Sequence, residues 1–375
     1  MLAVLASMLL HCADSILVPV HTLPPFFQEE DGDDPFWVPR EMSDFARRRA
    51  MLSYTERSKA EELLKALVQP PELGGMGITY SSDRTRTINE VWTDRKANCI
   101  SLTMAYVMLA KQLGIRAMFA ESFDVYNWSR VAGLIIREKH MVAVIMRDGK
   151  DDLVADFLPT TRPRFGTYFV DVIFDNHAKS LYYSNRAVEA LLEDNKAEAR
   201  KWVELSIGVD NMSPPAWNIF GVIEKTEGNI AGAVRAYKIA IANNSKNVAA
   251  ISNLAALYRD EGFYSEYAKL RAMENRLRKE DPYYHAFLAT EALDEQDIKN
   301  ALKSIQKAIK IHPRDPDFYI TLCQVYMAQG KNAEAIGALA KAREYTAEEQ
   351  MDELDRLIEE FRVDYSSSTK KVEPL

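Results

Sequence analysis

The sequence predicts two folded parts in series, an α+β domain and then an all-α solenoid of stacked helical hairpins. Three observations carry that prediction. The segment CISLTMAYVMLAKQLG repeats its apolar residues at helical spacing. Short runs rich in Val, Ile and Phe follow it, as strands require. Beyond about residue 175 the strand signal ends and small residues return every 34 positions. At 375 residues, with 47% hydrophobic and 27% charged content, the chain has material for two cores of ordinary size.

The first twenty residues, MLAVLASMLLHCADSILVPV, have the apolar stretch of a secretory signal and are too short before Asp14 to span a bilayer. Basic residues are missing from their start, and His11 stands where lipid attachment at Cys12 would want a small residue. An exported address (periplasm or envelope) and a cytoplasmic one both stay open, and contact with a membrane would come only through this segment. Residues 21–40, HTLPPFFQEEDGDDPFWVPR, read as an extended linker that docks through Phe36 and Trp37.

Residues 42–68 hold one helical pattern that stops at Pro70-Pro71; Gly74, Gly75 and Gly77 mark a loop, and a short helix is expected from Arg86 to Thr93. Asn98 is a natural N-cap for the next helix, which puts Cys99 at its first helical position. Ile100, Met104, Val107, Met108 and Ala110 recur at helical spacing, and Gly114 supplies the left-handed stop. IRAMFAESF, HMVAVIM and DLVADFL then read as strands, the last two joined by a hairpin turn at Asp148-Gly149. A helix followed by antiparallel strands gives an α+β domain over residues 41–178.

In the second part, Ala187, Gly221, Ala255, Ala289 and Cys323 form a column of small residues where the first helix of a hairpin approaches the second. Ala199, Ala233, Tyr267, Ala301 and Ala335 stand twelve positions further on, and Tyr183, Trp217 and Tyr319 four before the first set. With Tyr237, Tyr258, Tyr326, Ala240, Ala308, Ala342 and Pro313 these columns resemble the tetratricopeptide repeat over about residues 179–345. The third repeat departs from the pattern. Tyr267, Arg271 and Glu274 stand where small or apolar residues are expected, and Pro282 comes about three residues late, which predicts a bulge or a longer helix. The array is assigned residues 179–362, with a cap from Ala347 to Arg362, and the polar end at 363–375 is expected to be disordered. The resemblance implies a protein or peptide partner on the concave face.

Composition narrows the function classes. A net charge of -8 repels phosphate backbones and disfavours nucleic-acid binding, and the short basic cluster Arg47-Arg48-Arg49 does not reverse that. Three widely spaced cysteines, Cys12, Cys99 and Cys323, suggest neither a disulfide framework nor a zinc site. His11, His21, His177, His285 and His312 show no ligand spacing, and the glycine-rich nucleotide motifs are missing, so no metal and no cofactor is expected. Cys323, in a packing column, reads as structural.

The remaining candidates for chemistry are Cys99, His140 and Asp156. A thiol at a helix start is favoured as thiolate by the partial positive charge there, and its own N–H is suited to hold an oxyanion; a small buried hydrophobe is the plainer reading. His140 opens a strand, where most histidines are simply solvated, and Asp156 interrupts LVADFL, where an unpaired carboxylate is costly. Together they supply a nucleophile, a base and a carboxylate to fix the ring's tautomer. A two-residue hairpin sets His140 opposite Phe157 and Asp156 on the other face; a bulge or a loop one residue longer brings both to one face. Both registers fit the sequence.

The segment TINEVWTDRKANCISLTMAYVMLAKQLGIRA, then His140 and ADFLPT, resembles the transglutaminase-like fold over about residues 40–175, and most of all the bacterial proteins that fuse such a domain to tetratricopeptide repeats. The resemblance implies a papain-like α+β core with Cys99, His140 and Asp156 as catalytic triad. It implies acyl transfer through a thioester, as a cysteine protease or amidase with water and as a transglutaminase with an amine. Many family members carry Gly two before the cysteine and Trp soon after the histidine; here Ala97 and Met141-Val142 stand there, so the oxyanion loop and acyl-donor groove differ. Trp92 reads either as a groove residue or as a core aromatic. The alternative function is a non-catalytic tetratricopeptide scaffold with an inactive transglutaminase-like domain.

Overall fold

The computed structural model describes residues 34–50, 53–131, 134–147, 152–157, 165–166 and 170–346. The apolar N-terminal segment, most of the linker, the Asp148-Gly149 turn, the cap at 347–362 and the tail lie outside the described residues. Of the linker's two aromatic anchors, Phe36 docks, stacked on Phe119 with ring centroids 5.3 Å apart, while Trp37 stays 39% exposed.

The single helical pattern expected over 42–68 is two helices, α1 (Arg40–Ala50) and α2 (Glu56–Val68). Thr55 causes the break: its hydroxyl accepts the Ser58 N–H, and Ser58 accepts the Thr55 N–H in return, so a reciprocal cap restarts the helix. β1 (Thr79–Tyr80) pairs in parallel with β2 (Lys96–Ala97) on either side of α3 (Ile88–Asp94). That helix starts two residues later than expected because Thr87 and Glu90 cap it. α4 (Cys99–Gln112) follows directly, and its residues from Ile100 to Val107 are all buried.

A five-stranded antiparallel sheet comes next, in the order β6-β5-β4-β3-β7. Its strands are β3 (Ala117–Val131), β4 (Leu134–Ile145), β5 (Leu153–Ala155), β6 (Phe165–Gly166) and β7 (Val170–Ile173). Alternation divides its two faces. Ala117, Phe119, Met141, Ala143, Ile145, Leu153 and Ala155 join the core with α1 to α4, and Ala120, Val142, Val144 and Val154 form a smaller cluster behind.

The described residues from Asp175 onward are helical. Five hairpins pair α5 (Asp175–Leu192) with α6 (Lys196–Val209), α7 (Pro214–Thr226) with α8 (Ile230–Asn243) and α9 (Val248–Asp260) with α10 (Tyr264–Glu280). They continue with α11 (Pro282–Asp294) and α12 (Ile298–Ile311), then α13 (Pro316–Ala328) and α14 (Asn332–Tyr345). The columns are packing columns: Ala187, Ala255, Ala289 and Cys323 are buried, and Gly221 lies so close to Tyr237 that a methyl group there would stand 2.6 Å from the ring. The late Pro282 is absorbed by length, since α10 has 17 residues where α6, α8, α12 and α14 have 14. Glu274, out of pattern, is buried and paired with Arg271, Arg278 and Ser252.

The boundary between the parts is shared rather than linked. Ala178, Tyr182 and Tyr183 of α5 belong to the N-terminal core, while Ala187 and Ala190 begin the repeat core. α5 thus spans the boundary expected at residue 178.

Candidate functional site

Cys99 opens α4 and is half-buried. Asn98 caps that helix, its side-chain oxygen accepting the Ser101 N–H at 2.9 Å. The sulfur therefore sits over a first turn whose amides and dipole favour negative charge. Thr103, one turn on and on the same helix face, donates from Oγ1 to the Met141 carbonyl at 3.1 Å. Met141 follows His140, so this bond fixes the Cys99 turn against the strand that carries the histidine.

His140 is buried where the regular β3–β4 ladder ends, opposite Ser122. From there the pairing jumps to Asn127 opposite Glu138, and such an irregularity re-aims the side chain beside it. Asp156 lies just past β5 and is wholly buried. The ladder Ala143↔Ala155, Val144↔Val154 and Ile145↔Leu153, continued by one pair, sets Asp156 opposite Val142. His140 is two residues from Val142, so it and Asp156 share a face as diagonal neighbours. Of the two registers open in the sequence, the structure has the one that puts His140 and Asp156 on the same face.

The His140 Nε2 lies 2.6 Å from Oδ1 of Asp156. Burial works against charge on the ring, but hydrogen bonding and electrostatic attraction toward Asp156 and Cys99 outweigh it, pushing the His140 pKa up to about 9 from 6.5. With Nε2 bonded to Asp156, Nδ1 is the nitrogen left for the sulfur. The structure brings all three sequence candidates together, and chemically the set has a thiol, a base to take its proton and an acceptor that fixes the base's tautomer.

Other candidates are accounted for structurally. Trp92 packs against Phe45 and beneath the Arg95 guanidinium, 3.7 Å from the ring centroid, at the edge of the core. Cys323 is buried, which pushes its pKa up to about 11. His177 pairs with Asp210 at 2.5 Å, and His285 bonds the Lys279 carbonyl. Among the described residues no three His, Cys, Asp or Glu side chains gather to hold a metal ion, and no helix is long and apolar enough to cross a membrane.

Sequence reasoning missed the supports. Thr85, Ser101 and Thr103 are buried polar residues bonded around the start of α4. A trace existed in the hydroxyls of CISLT, which interrupt an otherwise apolar helix.

Residues 292–357 match the family model of the tetratricopeptide repeat. No curated protein matches the chain. Similar solved structures include MamA 41-end from Desulfovibrio magneticus RS-1, at 14% identity over 46% of this chain and 96% of that one, with a TM-score of 0.26. YrrB, described as a TPR protein with an unusual peptide-binding site, is 13% identical over 46% of this chain and 89% of its own, with a TM-score of 0.25. The APC/C hetero-tetramer Cut9-Hcn1 gives 19% identity over 44% of this chain and 33% of that one, with a TM-score of 0.25. The family match and the stacked hairpins together give the chain a tetratricopeptide-type helical solenoid in its C-terminal part.

Proposed function

We propose that the chain is a thiol acyl-transfer enzyme in which a transglutaminase-like domain acts on a protein or peptide carbonyl and the helical array binds the protein that presents it. The observation that carries this reading is the 2.6 Å contact between His140 Nε2 and Asp156, on a ring whose pKa the nearby Cys99 also helps to raise. Cys99 attacks a carboxamide or peptide carbonyl carbon, and its proton passes to His140. The oxyanion is held at the start of α4, where the Cys99 N–H has no partner within the helix by position. Collapse expels the amine, which takes the proton from His140, and leaves a thioester. Water or a second amine then attacks that carbonyl, gives its proton to the imidazole and restores the thiol. Asp156 keeps the ring oriented throughout.

A second reading is a non-catalytic protein-binding scaffold whose N-terminal domain is an inactive fold. The repeat match at residues 292–357 favours it, since binding needs no thiol chemistry. Alkylation of Cys99 by iodoacetamide near neutral pH separates the two. The enzymatic reading expects rapid labelling that His140→Ala slows by about tenfold or more. A sluggish thiol indifferent to His140→Ala overturns it and leaves the scaffold.

A further inference from the structure

Asn98 is more than a helix cap, because both halves of its side chain are committed. Its oxygen accepts the Ser101 N–H at 2.9 Å, and its Nδ2 donates to Oγ1 of Thr85 at 2.8 Å. Thr85 is fully buried and belongs to the loop before α3. The next residue, Arg86, is locked to α4 twice: its N–H donates to Ser101 Oγ at 2.7 Å, and that hydroxyl donates to the Arg86 carbonyl at 2.8 Å. Its guanidinium clasps Asp83 and Asp94, closing the loop on the end of α3.

The other side of Thr85 faces the first repeat helix. The Thr85 N–H donates to Glu189 Oε1 at 2.6 Å, its carbonyl accepts from Arg186 Nη1 at 3.0 Å, and Asn185 Nδ2 lies 3.4 Å from its hydroxyl. Three side chains of α5 therefore hold one residue, and that residue holds the cap of the helix that begins with Cys99.

We propose that Thr85 and Asn98 are positioning residues that tie the reactivity of Cys99 to the first helix of the repeat array. The proposal rests on the thiol reading of the site. Cys99, at the first helical position, is the residue a frayed cap displaces first, and its sulfur has to meet a His140 ring already fixed by Asp156. A partner that shifts α5 then reaches the sulfur through Glu189 and Thr85, with no contact in the cleft.

The test measures iodoacetamide labelling of Cys99 by peptide mapping on the full chain, with thermal melting run in parallel. Thr85→Val keeps the shape and removes the hydroxyl that Asn98 uses, whereas Thr85→Ser retains it. The expected result is a fivefold to tenfold slower labelling, roughly, in Thr85→Val and recovery to within about twofold in Thr85→Ser. Glu189→Ala, half-buried and outside the N-terminal core, is expected to slow labelling in the same direction; it decides the matter should Thr85→Val fail to fold. Labelling at the wild-type rate in folded Thr85→Val or Glu189→Ala, still slowed by His140→Ala, overturns this inference and leaves the proposed function standing. A wild-type thiol that is sluggish and indifferent to His140→Ala overturns both.

Discussion

The Thr103 hydroxyl donates to the carbonyl of Met141 at 3.1 Å, both residues buried, and this bond joins the cysteine helix to the histidine strand. The apolar contacts that helix and strand also make resist sliding poorly because they have no direction. The hydrogen bond supplies register where the sulfur and the imidazole need it.

Thr103→Val is therefore expected to cost about 1–3 kcal/mol, since it leaves the Met141 carbonyl buried without this donor. Urea unfolding measures that loss. Cys99 labelling should slow as well, and an unchanged labelling rate in a destabilised protein would show that the bond serves stability alone.

The His140 pKa of about 9 lies above its ordinary 6.5, so between those values the folded protein holds a proton that the unfolded chain releases. The stability this group contributes is full below about pH 6.5 and is lost as pH rises through about 9. The urea midpoint should fall across that window. Asp156→Asn removes the strongest support of the charged ring, so it should flatten this slope and lower the His140 titration midpoint seen by NMR.

Sequence alone exposed the periodic parts of this fold and left its registers open. A 34-residue repeat is written in residue size, so the packing columns at Ala187, Ala255 and Ala289 could be read directly. The split between α1 and α2 was hidden because Thr55 and Ser58 make a cap without Glu or Gln at the third position. β6 and β7 were missed because strands of two and four residues carry too little alternation to be seen. The three candidate site residues were legible as residue types in the right order. Their convergence was not, because a shift of one residue in the β4–β5 register decides whether His140 and Asp156 share a face.

The described cysteines should separate by reactivity. Cys323 packs with Ala335, Ala338 and Leu339, and its burial raises its pKa to about 11, so it is neither ionised nor accessible near neutral pH. Iodoacetamide should label Cys99 in the native protein and reach Cys323 only after urea is added. Native labelling of Cys323 would mean that the last hairpin opens readily.

Gly221→Ala tests the first packing column. An added Cβ would lie 2.6 Å from Cε1 of Tyr237, a buried ring that has no room to step back. A loss of about 1–3 kcal/mol is expected in urea unfolding. Tyr237→Leu in the same chain should recover part of it, giving a coupling energy that independent sites would not show.

Glu274 is the most exacting position in the array. Its buried carboxylate accepts from Ser252 at 2.7 Å and pairs with Arg271 and with Arg278, the latter at 2.6 Å, which draws α9 and α10 together across the third hairpin. Glu274→Ala takes this buried carboxylate from Arg271 and from the half-buried Arg278, and a loss of about 3 kcal/mol is expected. Replacing both residues, as Glu274→Leu with Arg278→Leu, removes the desolvated charge instead of stranding it and should restore much of the stability. Because the α9–α10 hairpin contacts chiefly α8 and α11, hydrogen exchange in Glu274→Ala should rise in α9 and α10, and next in α11, which also touches β3, while α4 keeps its protection. Equal loss of protection in α4 would show instead that the array and the N-terminal core unfold as one unit, joined through α5 and through the contact of α11 with β3.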